Sequence, residues 1–221
     1  MTIQVRERPI LFSGPMVKAI LKGRKTQTRR IVKPQPPNYI DELHGNDLRS
    51  RAPYRIEHNE TGQILGNGFQ DDDDRYYLAR ADVGDRLWVR ETWVRSRNNW
   101  IYRADQPDGY KPSECVVEWD WGCDCVDKWR PSIHMPRRAA RLFLEVTGVR
   151  VERVQDITEE DARDEGVELC HVFQMAKSGH PLAPHKTAFA WMWKEINGRD
   201  SWQANPWVWV VEFRRVKGHG S

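Results

Sequence analysis

No apolar run in this 221-residue chain is long enough to cross a bilayer, and no stretch has the make-up of a signal or transit peptide. A cytoplasmic protein with reduced thiols and no membrane partner is the expectation. Only four cysteines occur, Cys115, Cys123, Cys125 and Cys170, and even with His134 nearby they lack the two paired knuckles of a structural zinc site. No metal and no other cofactor is therefore expected. The chain also lacks a Walker loop, a dinucleotide fingerprint, a heptad pattern and any internal repeat, which removes P-loop, Rossmann, coiled-coil and solenoid architectures. Net charge is only +3, from 35 basic and 32 acidic residues, so overall charge selects no partner.

The distribution of charge says more than its sum. Residues 1–37 hold nine Lys/Arg and one acid, whereas residues 41–85 hold eleven acids and five arginines. A basic lobe beside an acidic insertion suits an anion such as a phosphate. The length fits one domain that buries its core without disulfides.

Within the basic lobe, Gly23-Arg24-Lys25-Thr26-Gln27-Thr28-Arg29-Arg30 follows a short amphipathic run. Pro15 suits the first turn of that helix and Gly23 its left-handed end. A strand over 28–33 should follow. Lys25 and Thr28 are three apart, so on a straight strand they would face opposite ways, and only a turn lets the amine and the hydroxyl meet. Four cations in eight residues repel one another unless an anion or a buried carboxylate joins them.

Further along, Pro34, Pro36 and Pro37 break regular structure and open a polar segment that ends in Asp71–Asp74, read as an insertion over the domain. Gly84-Asp85 turns into a strand over 86–93. Leu87, Val89 and Glu91 share one of its faces, and Trp88 lies on the other. An inward Glu91 needs a cation, and Arg29, Arg30 or Lys25 are the expected partners. A second insertion covers 105–130. Ser132 and His134, among prolines and arginines, would suit a phosphate or a base edge. Residues 141–154 read as a long strand or strand pair broken at Gly148. Thr158 then caps a helix with Asp161 three residues on, acids fill its first turn, and Gly166 ends it. Residues 187–197 read as an amphipathic helix with a core-facing aromatic stripe, and 207–215 as a strand buried on both faces.

Gly23-Arg24-Lys25-Thr26-x-Thr28-x-Arg30 resembles the signature of ASCH domains, small β-barrels related to the PUA-like RNA-binding folds. The stretch from Arg8 to Arg30 is also similar to phage and prophage ASCH proteins. The Gly84-Asp85 strand, the acidic helix and the closing strand match the family's order. This resemblance implies an α+β fold: one PUA-like barrel over 1–217, flanked by short helices, with insertions at about 34–80 and 105–130 and a tail at 218–221.

The functional relatives it implies are small bacterial amidohydrolases that deacetylate N4-acetylcytidine. Those enzymes use a lysine and a threonine from this motif and a glutamate from a later helix. Carried over, the catalytic residues are Lys25, Thr28 and Glu165, with Thr28 as nucleophile, Lys25 as its base and Glu165 relaying a proton to the leaving amine. Arg24, Thr26, Arg29, Arg30, Trp88, Glu91, Ser132 and His134 are the substrate-binding candidates. Two alternatives use the same cleft. One is a non-catalytic reader of RNA or a modified base, with Trp88, Trp93 or Trp129 stacking. The other is a ribonuclease that stabilises a developing phosphorane charge. The partner in each case is a nucleoside or RNA.

Overall fold

The computed structural model describes residues 5–36, 54–57, 64–70, 75–96, 99–110, 128–167, 169 and 184–217. Helix and strand are mixed in it, as an α+β fold requires. A five-stranded sheet runs in the order β1 (Glu7–Leu11), β6 (Arg86–Arg90), β9 (Phe143–Arg153), β10 (Trp207–Val216), β2 (Gln27–Ile31). All neighbours are antiparallel except β1 and β6. The expected closed barrel is not what this pairing gives: the sheet is open, with β1 and β2 as its edges. Helix α1 (Gly14–Leu21) links those edges in sequence, and the Arg30 guanidinium donates to the Leu11 carbonyl at 2.8 Å, tying β2 to β1 through a side chain.

β10 lies inside the sheet, between β9 and β2, and its sequence is apolar on both faces. Trp207, Trp209, Val211 and Phe213 face a core with Val17 and Ile20 of α1 and Leu87 and Val89 of β6. Val208 and Val210 face a second core on the other side of the sheet. There they meet Ala162 of α2 (Glu159–Asp164) and Phe189 and Trp193 of α3 (Pro184–Asn197). The aromatic stripe of α3 is therefore core, although Trp191 lies exposed. Burying a large aromatic contributes on the order of 2–3 kcal/mol each, so this strand organises both layers.

The long strand is continuous rather than a pair. Its irregularity is a register shift opposite Glu212 and Phe213, which pair with Gly148 and Val146 and leave Thr147 as the extra residue of a bulge. A hairpin of β7 (Trp93–Ser96) and β8 (Asn99–Tyr102) packs separately. The first insertion holds regular structure among its described residues. It contains a three-stranded sheet of β3 (Tyr54–Glu57), β4 (Ile64–Gln70) and β5 (Tyr76–Leu78). The Asp71–Asp74 run and all four cysteines lie outside the described residues. Among the described residues no helix is long and apolar enough to cross a membrane, and no group of His, Cys, Asp and Glu is arranged to hold a metal.

Candidate functional site

The basic motif begins where α1 stops. Gly23 takes a left-handed φ of 70°, and the amides of Arg24 and Lys25 both return to the Ala19 carbonyl at 2.9 and 3.3 Å. Lys25 then forms an isolated antiparallel bridge with Glu165. Thr26 donates its amide to the Asp164 carbonyl and accepts the Phe213 amide, both at 2.8 Å, and the chain enters β2 beside β10.

Glu165 arrives by the capping logic of α2. The Asp161 amide donates to Thr158 Oγ1 at 3.0 Å and the Thr158 amide to Asp161 Oδ2 at 3.5 Å, a reciprocal capping box. Glu165 is the C-cap, and Gly166 follows with φ of 76°. A Cβ on Gly166 would lie 2.8 Å from the Cβ atoms of both Ala19 and Lys25. Gly166→Ala is expected to cost about 2–3 kcal/mol, through left-handed strain and that collision, and to displace Lys25. Urea denaturation measures the loss.

At this junction Lys25 Nζ donates to Glu165 Oε2 at 2.7 Å, to the Glu165 carbonyl at 2.9 Å and to the Gln27 carbonyl at 2.9 Å. All three ammonium protons are used, and the Nζ also lies 5.5 Å from the Phe12 ring centroid. Lys25 and Glu165 are only 2% and 3% exposed, so neither charge is tolerable alone. Burial pulls the Lys25 ammonium below its ordinary value, Glu165 pulls it back, and Arg30 and Arg29 lower it a little further.

Thr28 is also buried, on β2. Its cross-strand partner Val211 faces the α1 core, the same side on which Lys25 Nζ meets Phe12. No hydrogen bond joins the Thr28 hydroxyl to Lys25, whose donors point instead to Glu165 and Gln27. The helix exit thus brings the two residues to one side without making the expected amine–hydroxyl contact.

The remaining candidates divide sharply. Arg29 is buried, with its charge answered inside the protein. Its side chain is 0% exposed and is consumed by Glu152 (2.9 Å from Nε, 2.5 Å from Nη2), Glu165 (3.1 Å) and Asp161 (3.3 Å), with the Phe189 ring 5.7 Å away. Arg30, by contrast, is exposed and lies over Phe12 at 5.6 Å, beside the Lys25 head group. Arg24 and Thr26 are exposed at the motif's turn.

Glu91 points inward as its strand phase requires, but its partner is neither Lys25 nor Arg29 nor Arg30. Both of its oxygens take Arg141, at 2.8 and 2.9 Å, and the same guanidinium binds Asp105 and stacks 4.0 Å from the Tyr102 ring. Burial raises the Glu91 carboxyl and Arg141 draws it back. This bidentate clasp answers the buried charge. Trp88 is half-buried beneath the Arg90 guanidinium. Trp93 is only 3% exposed, held against Trp100 and Arg130, whereas Trp129 is half-buried beside Tyr110 and Arg103.

Ser132 and His134 sit in a single 3-10 turn. Arg90 clasps that turn by donating to the carbonyls of Ile133 and Met135. Ser132 is half-buried and His134 exposed, and no hydrogen bond brings either to the Lys25 cluster.

The residues missed from sequence are Glu152 on β9 and Arg150 beside it. With Gln27 and Asp161 they continue the ion pairs from Arg29 outward to Glu212. Arg150 and Glu152 are two apart on a strand, opposite Val210 and Val208. That alternation, matched to Gln27 and Arg29 on the neighbouring face of β2, was the available signal. Comparison with protein-family models, with curated proteins and with solved structures returns no match to this chain.

Proposed function

We propose that this protein is an amidohydrolase acting on an acylated pyrimidine nucleoside such as N4-acetylcytidine, on an ASCH-type, PUA-like framework, with Lys25, Thr28 and Glu165 as its catalytic residues. The observation that supports this reading most is the 2.7 Å contact between Lys25 and Glu165. It unites two positions 140 residues apart, both carried over from the family resemblance, in one buried pair, with Thr28 on the strand that follows.

In this mechanism the pair shares one proton. With that proton on Glu165, Lys25 is a free amine and accepts the Thr28 proton as Oγ1 bonds to the acyl carbon. Collapse of the tetrahedral oxyanion breaks the C–N bond, and the leaving amine takes the proton from Glu165. Water then gives a proton to Glu165 and attacks the Thr28 ester, and Thr28 leaves with the proton held on Lys25. Acetic acid and the free base are the products, and the pair returns to its starting state. Arg30, at the Phe12 side of Lys25, is the substrate-facing cation.

The engaged state of the Lys25 donors favours a second reading, a binder of RNA or a modified base in which the pair only holds the motif in place. Incubation of the protein with N4-acetylcytidine separates the two. Acetate release that falls at least about 10³-fold in Thr28→Ala supports hydrolysis. No acetate, together with tight RNA binding that weakens steeply with salt, supports the binder.

A further inference from the structure

We propose that Arg29 is a positioning residue of this site. Its guanidinium, gripped by Glu152 and Asp161, fixes the Glu165 carboxylate and sets how much of that carboxylate's negative charge Lys25 receives. Geometry carries the inference. Glu165 offers one oxygen to each cation, Oε2 to Lys25 at 2.7 Å and Oε1 to Arg29 at 3.1 Å. A carboxylate held at both oxygens cannot rotate, and each cation competes with the other for its charge. Arg29 in turn cannot move, because Glu152 Oε1 takes both Nε and Nη2 and Asp161 lies against Nη2.

The cluster crosses one side of the sheet from β2 to β9. From β2 come Arg29 and, through the adjoining turn, Lys25. From β9 come Glu152 and Arg150, and from α2 and its C-cap come Asp161 and Glu165. Arg150 binds both Glu152 and Asp161, and it also binds Glu212 of β10. Arg30 is the remaining charge that acts on Lys25. Inside the protein, charges at such distances are weakly screened, so removing one should be felt at Lys25 through the shared carboxylate.

The arrangement makes a signed expectation that a packing role would not. Removing the Arg29 cation leaves Glu165 wholly to Lys25 and favours the ammonium. Removing the Glu152 anion frees more of the Arg29 charge and disfavours it. As a statement about catalysis this rests on the amidohydrolase reading; as a statement about the proton affinity of Lys25 it is tested without substrate.

The test follows the Lys25 Cε resonance by NMR across a pH titration, with the signal assigned by its loss in Lys25→Arg and folding verified by circular dichroism. Arg29→Met should raise the Lys25 midpoint, and Glu152→Gln should lower it. If Arg29→Met does not fold, the near-isosteric Glu152→Gln decides alone. A Glu152→Gln midpoint that stays in place, or moves up toward the range of an exposed lysine, overturns the proposal. The kcat/KM profile for N4-acetylcytidine should shift with the midpoints. An inactive wild type would end the hydrolase reading while leaving the titration result standing.

Discussion

Lys25→Ala is expected to lower kcat/KM for N4-acetylcytidine by about 10²–10⁴-fold, the range for loss of a positioned general base. Three acceptors fix its amine, and burial lowers its proton affinity. Lys25→Arg should not rescue activity, because a guanidinium keeps the charge but does not give up its proton at any working pH. Wild-type kcat/KM should fall as pH rises through the Lys25 midpoint, which lies below the ordinary 10.5, because the pair then loses the proton that Glu165 gives to the leaving amine, and that limb should be absent from the residual activity of either variant. Initial rates across pH provide the check. Stability has the opposite sign. Between the folded midpoint and 10.5 the unfolded chain binds more protons at this lysine than the native one, so the Lys25 contribution to stability rises with pH across that window and is constant above it.

Arg29→Ala should be the most destabilising single change in the motif, by about 3–5 kcal/mol. The guanidinium is the common partner of Glu152, Glu165 and Asp161, and the first two of these are themselves buried. Its removal strands carboxylates in a medium that cannot solvate them, and it opens space beside Phe189. The neighbouring Arg30→Ala, on an exposed side chain, should cost no more than about 1 kcal/mol. Urea midpoints of the two variants measured side by side decide this. Equal losses would show that the buried network contributes no more to stability than one exposed cation.

Local signals carried much of the architecture. The Thr158–Asp161 box, the left-handed glycines at 23 and 166, and the doubly apolar run of β10 each follow from chemistry confined to a few residues, and each is in the structure. Partner choice was not confined in that way. The phase of Glu91 showed that it needed a cation, but Arg141 is fifty residues away, and the motif arginines matched the requirement equally well. The same gap explains Arg29. Its type suggested substrate, and only the placement of Glu152 and Asp161 against it reveals that its charge is already answered. The small sheet of the first insertion was hidden because β3 alternates over only four residues, and the glycine-bearing β4 and the three-residue β5 carry no alternation.

Trapping of the covalent intermediate tests the central claim most directly. N4-acetylcytidine is mixed with the protein, quenched in acid within the first turnover, and the peptide containing Thr28 is weighed by mass spectrometry. An acetyl group on Thr28, absent in Lys25→Ala, is the predicted result. Rapid acetate release with Thr28 unmodified at every time point would contradict the account.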